Sequence, residues 1–306
     1  MKRNIMPPTK LAMIAMIVAG LTLHCPLGFG QEAKKVETQK AEPKSAESKA
    51  ATPAVESEAE KLAAEKRALL LKDAQTALDE TKKALEALDQ GKKDDALAAL
   101  EKVTGKLALI VARDPALKLA PVATSTIIRD LYAKPETVKA AIKQAKEALD
   151  DGQVQQARAL LAGLTSEVEV QVDNIPLATY PDAIKAIAPL IDAGKTNEAK
   201  TALTVALNTL VVESYVTPLP KIRAKAMLAD AEKLAEKKDR SADENKKLHD
   251  LVEAARLELQ LGEALGYGTK EDYKLQYTQL DEIQKKTAGG KSGQGFFDKI
   301  KDWLKS

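Results

Sequence analysis

Residues 88–100 read LDQGKKDDALAAL, and the chain repeats their frame twice: LDDGQVQQARALL at 149–161 and IDAGKTNEAKTAL at 191–203. Each copy places an aliphatic residue (Leu88, Leu149, Ile191) three positions before a glycine (Gly91, Gly152, Gly194). An alanine stands five beyond that glycine (Ala96, Ala157, Ala199), a leucine nine beyond it (Leu100, Leu161, Leu203) and a proline twenty-four beyond it (Pro115, Pro176, Pro218). With 15 glycines and 13 prolines in 306 residues, three coincidences at one offset mark a repeated supersecondary unit. Glycine admits the left-handed backbone that ends one helix and starts the next, and alanine lets the two helices approach closely. The expected fold is mainly α, a helical bundle of repeated antiparallel helix hairpins.

Working outward, each leucine and its proline enclose a segment rich in β-branched residues: 107–111, 168–172 and 210–216. Val168, Val170 and Val172 alternate with Glu169, Gln171 and Asp173, the period of a half-buried strand. A few short strands or extended connectors are therefore expected here, although runs this short also suit buried helix. The copies are unequally spaced, 61 positions from Gly91 to Gly152 and 42 from Gly152 to Gly194. The surplus lies after Pro115, and an insert there reads either as one extra helix or as a functional excursion.

Upstream, Ser57 and Glu60 have capping-box spacing and predict a helix running to about Asp89, with a seam of Leu71, Ala74, Leu78, Thr81, Leu85 and Leu88. Downstream, Pro220 opens a helix, Ser241 with Glu244 caps the next, and Thr269 with Asp272 caps a third that ends at Gly289.

The ends read differently. Residues 1–30 combine Lys2, Arg3 and Lys10 with an apolar run from Leu11 to Leu23 and a small-residue exit, the layout of a secretory signal peptide cleaved before Gln31. His24 before Cys25 does not suit a lipobox. Removing this segment takes 47 cations to 44 against 45 acids, a poor match for nucleic acid, and leaves no cysteine for disulfides, metal sites or nucleophilic catalysis. A periplasmic location is the expectation. Residues 31–56 are poor in large apolar side chains and read as a disordered tether. Residues 57–288 form the helical domain. The segment 289–306 reads as a flexible glycine-rich linker and an amphipathic C-terminal helix, with Phe296, Phe297, Ile300, Trp303 and Leu304 on one face. That face is a candidate interaction surface, docking either on its own domain or on a membrane leaflet.

Chemistry-bearing patterns are sparse. His249 and Glu253 share a helical spacing for metal binding, but two ligands are too few and the pair lies off the apolar stripe Leu248, Leu251, Val252, Ala255 and Leu259. Gly290, Lys291 and Ser292 lack the upstream glycine and strand of a phosphate loop, because Lys285 occupies the required position. Asp94 and Asp95 suit the start of a helix better than acid–base work. No catalytic, cofactor-binding or metal residues are assigned.

The run Asn174-Ile175-Pro176-Leu177-Ala178-Thr179-Tyr180-Pro181-Asp182-Ala183-Ile184, continuing through Pro189 to Lys195, resembles the YfdX protein family. So do Ala96 to Pro115, Leu203 to Pro220, Ala235 to Ser241 and Ala264 to Gly268, so that the resemblance spans roughly residues 80 to 290. It implies an exported helical protein of Gram-negative bacteria associated with acid, heat or drug stress, with chaperone-like behaviour or small-molecule binding and no established catalytic residues. The functional expectation is a non-enzymatic stress protein that holds unfolded periplasmic proteins or small apolar molecules. The alternative is a scaffold for a specific partner or the membrane surface. Self-association is left open.

Overall fold

The computed structural model describes residues 35–38 and 45–305, so the signal-peptide reading lies outside the described residues. In chain order the elements are β1 (Lys35–Thr38), α1 (Ala46–Ala50), α2 (Thr52–Arg67), α3 (Lys72–Asp89), α4 (Lys93–Arg113) and β2 (Leu119–Asp130). Then come α5 (Pro135–Asp150), α6 (Val154–Leu161), β3 (Glu167–Pro176), α7 (Tyr180–Lys185), α8 (Ala188–Asp192), α9 (Thr196–Leu207) and β4 (Val211–Pro218). The chain closes with α10 (Leu219–Glu236), α11 (Ala242–Ala264), α12 (Lys270–Thr287) and α13 (Asp298–Lys305). The fold is mainly α, with one sheet in the order β1-β2-β3-β4.

The repeated glycines turn the chain as the register predicts. Gly91, Gly152 and Gly194 share φ +72°, backbone that a residue with a Cβ rarely adopts. In each turn the residue after glycine donates its N–H five residues back, Lys92 to Ala87 at 2.8 Å, Gln153 to Ala148 at 2.7 Å and Lys195 to Leu190 at 2.9 Å. This Schellman closure satisfies carbonyls that the helix end would otherwise leave bare. Ala96, Ala157 and Ala199 are all buried. The α3–α4 hairpin packs on the third copy, α7 to α9, around Leu78, Leu88, Leu100, Tyr180, Ile191 and Leu203. The second copy, α5–α6, closes on a small core of its own, Ala145, Ala148 and Ala157, and α5 lies along α11.

The strand expectations divide. Segment 168–172 lies in β3 and 211–216 of the third segment in β4, paired antiparallel with Val170 opposite Tyr215. Segment 107–111 is instead the end of α4, because Leu107 and Ile110 continue the three-to-four spacing of Ala96, Leu100 and Val103 into the core. The strand belonging to the first copy is displaced into the insert after Pro115: β2 pairs antiparallel with β3 from Leu119↔Pro176 to Arg129↔Glu167, with an irregularity between Pro121 and Ala123. The insert thus supplies a strand of the sheet and not an extra helix.

Near the N-terminus two boundaries move. Ser57 lies inside α2 and caps nothing. The long expected helix breaks after Arg67, and the Leu71 N–H goes to the Pro121 carbonyl of β2 at 3.0 Å. Of the expected tether, residues 46–50 and 52–56 are helical. The reason is a stripe of small residues: Val55, Ala59 and Ala63 face the sheet and α10, and Val55 and Ala59 reach Ile128, Val168, Val170, Leu219 and Ile222. Small side chains bury by letting backbones approach, a signal that bulk hydrophobicity does not register.

The C-terminal helices form a second core of Met227, Leu228, Val252, Leu259, Leu280 and Ile283. Both expected capping boxes are present, Ser241 with Glu244 and Thr269 with Asp272. The glycine-rich linker is pinned, since Gly293 donates to the Ala235 carbonyl at 3.1 Å and Arg240 donates to the Lys291 carbonyl at 2.6 Å.

Candidate binding pocket

Where β2 ends, the chain crosses to α5 through Leu131, Tyr132, Ala133 and Lys134, and Pro135 opens the helix at a position where its missing N–H costs nothing. This crossing, the start of α1 and one face of α11 enclose a pocket of about 470 Å³. Its wall is apolar: Leu131, Ala133, Pro135, Ala254, Leu257 and Leu261.

Arg223 closes the pocket from behind. It projects from the first turns of α10 among the buried Leu219, Pro220 and Ile222, and its side chain is 2% exposed. Its Nη2 donates to the Asp130 carboxylate and, at 3.0 Å, to the Tyr132 hydroxyl. The Tyr132 ring lies 5.0 Å from the guanidinium, within cation–π range, and its hydroxyl donates to Asp130. On the other side Glu258 Oε2 lies 3.9 Å from Arg223 Nη1, and Glu258 Oε1 accepts from Ser48 Oγ at 2.7 Å. One guanidinium therefore stands between two carboxylates. Arg223 Nε, also buried, has no hydrogen-bond partner among the described residues. The Ser48–Glu258 contact ties α1 to α11. Around the mouth Lys246 pairs with Asp250 at 2.5 Å, beside Glu47, Lys134 and Glu253.

A second ionic cluster lies on the other face of the sheet, since Arg129 and Asp130 are neighbours on β2. Arg129 pairs with Glu167 and Glu169 across the β2–β3 register. Glu169 also accepts from Gln171 at 2.9 Å and from Ser214 of β4 at 2.7 Å. Burial pushes the Glu169 carboxyl up, but Arg129, Gln171 and Ser214 outweigh it and hold the group down at about 2. Tyr267 donates to Glu167 at 2.6 Å and accepts from the Ser166 N–H; burial, then that carboxylate, raises its hydroxyl far above the usual range.

The residues singled out from sequence fall elsewhere. Phe297 and Ile300 are buried in the C-terminal core, with Phe296 packed against it under Lys286. That part of the amphipathic face docks on its own domain, fastened by Lys301 to Glu232 at 2.7 Å. The Trp303 and Leu304 side chains lie outside the described residues. His249 is exposed, while Glu253 accepts from Gln284 and pairs with Arg256 at 3.6 Å, so the two do not converge. Asp94 and Asp95 sit exposed in the first turn of α4. Gly290 to Ser292 form part of the pinned linker. The pocket residues went unread because they come from five separate elements. One signal was available: Glu258 stands seven positions after Leu251 and three after Ala255, in phase with the apolar stripe, where a charged residue points to a buried partner.

These features define a helical, sheet-braced protein with one buried charge cluster opening on an apolar pocket. Residues 77–216, all three hairpin copies through most of β4, match the family model described as YfdX protein. A solved structure of YfdX from Salmonella Typhi is 17% identical, with the match covering 49% of this chain and 93% of that one at a TM-score of 0.33. No curated protein matches the chain.

Proposed function

We propose that this is a non-enzymatic, exported stress protein that binds small apolar molecules carrying one cationic group in the pocket between α1, α5 and α11. The observation that carries the reading is the pocket's lining, where an apolar wall meets Glu47, Asp250, Glu253 and Glu258 set against Lys134, Arg223 and Lys246. That excess of carboxylates favours a positive charge, and the apolar wall favours the body attached to it. Secretion rests on the leader-like residues 1–30, and the stress association on kinship with the YfdX family.

The test is a thermal-shift and calorimetric comparison of octylamine with octanoate. Binding stabilises the folded state in proportion to occupancy, so the amine raises the melting temperature and the carboxylate does not. Glu258→Gln removes that preference. Equal or stronger binding of octanoate refutes the charge argument, and binding of neither compound refutes the pocket reading.

A further inference from the structure

The walls of the pocket differ in how firmly they are held. Of the helices around it, α5, α10 and α11 run 16, 18 and 23 residues, whereas α1 has 5. A helix of little more than one turn does not persist in water, so α1 stays in place only while its anchors hold. Among residues 45–51 only Ser48 and Ala51 are buried, and Glu47 is half-buried. Ala51 sets one methyl group into the C-terminal core. Ser48 supplies the other hold, its hydroxyl donating to Glu258 Oε1 of α11 at 2.7 Å.

The residue that anchors α1 also starts it. Ser45 Oγ accepts from the Ser48 N–H at 3.0 Å and donates to Ser48 Oγ at 3.2 Å. Cap and anchor therefore form one chain, Ser45 to Ser48 to Glu258, and losing its last link loosens both. This chain borders the cavity: Ser45, Glu47 and Ser48 line it together with Glu258. Across the mouth Asp250, with Glu47 adding to it, raises the Lys246 pKa, so α1 also meets α11 through its charges. At the far end of α1, Pro53 has no N–H to donate back into the helix. The ladder between α1 and α2 is broken there, which leaves Ala51 as a hinge.

We infer, building on the binding role proposed above, that α1 is a lid on this pocket, latched by Ser48 on Glu258. It swings about Ala51 to admit a ligand and shuts over it, bringing Glu47 and Ser48 against the bound molecule. No other wall leaves at so small a cost. Opening α1 breaks the Ser48–Glu258 bond and wets one small side chain, whereas displacing α11 would uncover the C-terminal core around Val252 and Leu259.

Stopped-flow binding of dansylcadaverine, an apolar fluorophore carrying one primary amine, tests this in the full chain. In a gated pocket the open fraction sets both rates. Ser48→Ala therefore quickens association and dissociation together, each by about fivefold for one lost hydrogen bond. Ala50→Gly quickens both by about threefold, because it weakens α1 at an exposed position outside the pocket lining. Hydrogen exchange in α1 slows when octylamine is bound, while α12 exchanges as before. Faster dissociation alone would make Ser48 a ligand contact and overturn the lid. Rates that neither variant moves overturn it too, as does exchange in α1 that quickens on binding. A wild-type chain that binds neither amine refutes the pocket and the lid together, so the two failures are told apart before any variant is made.

Discussion

Two buried guanidinium–carboxylate clusters flank the sheet, and they are built to different standards. Around Arg129 two carboxylates meet several donors: Gln171 and Ser214 serve Glu169, and Tyr267 serves Glu167. Its members lie on three adjacent strands and one helix-turn tyrosine, so it locks the register of β2, β3 and β4. Around Arg223 the same two-to-one ratio is buried more deeply, with an orphan Nε and a cavity in front. A buried ionic group adds little net stability over an apolar one of the same shape, and incomplete satisfaction makes it worse. The Arg129 cluster is explained by the sheet it holds together. The Arg223 cluster faces a pocket instead, which is why a binding role is proposed there.

The comparison breaks most directly at the two arginines. Arg223→Met removes a cation 2% exposed from between Asp130 and Glu258 and should lower stability by about 3–5 kcal/mol. Arg129→Met, at a side chain 28% exposed whose carboxylates keep other donors, should cost about 1–2 kcal/mol. Urea unfolding of both variants decides this, and equal losses would remove the distinction between the clusters. Adding Asp130→Asn and Glu258→Gln to Arg223→Met should recover much of the loss, because the carboxylate charges are then gone.

Acid sharpens the contrast through Glu169. Its folded-state pKa of about 2 lies below the ordinary 4.5, so the unfolded chain takes up the proton first as pH falls. The stabilisation is complete above about pH 4.5 and is lost as pH falls through about 2. Asp173, two strand positions along the same face, has the opposite sign. Burial raises its pKa against the opposing charge of Lys82, so its protonation as pH falls relieves a cost instead of adding one. In Glu169→Gln the acid limb of the stability curve should flatten between pH 4.5 and 2, measured by urea midpoints across that range.

How much of this was legible follows from how local each determinant is. The glycine turns depend on residues five apart, and all three adopt the same left-handed backbone. Both C-terminal capping boxes depend on residues three apart and are present. The Val168 to Val172 alternation likewise lies in a real strand. The misreadings concern determinants set by distant partners. Leu107 to Val111 are β-branched enough for a strand, yet the core beside Val103 draws Leu107 and Ile110 into a helix. In β2 the alternation of Val122, Thr124, Thr126 and Ile128 was present but masked by Pro121 and by hydroxyls. The pocket was least legible, since Ser48 and Glu258 stand 210 residues apart and nothing in either neighbourhood names the other.

The smallest expected effect concerns that same long-range contact. Ser48 is the buried anchor of α1, a helix of 5 residues too short to persist without tertiary contacts. Ser48→Ala removes one donor from Glu258 but leaves Arg223 nearby, so the global loss should be about 1 kcal/mol. The Arg129 cluster has no counterpart to this variant, because each of its members belongs to a longer element or a tight turn. The informative measurement is therefore local: hydrogen exchange should quicken in α1 while β2, β3 and α11 keep their protection. Uniform quickening across all four would mean that α1 is integral to the core and that the pocket mouth cannot loosen independently of the fold.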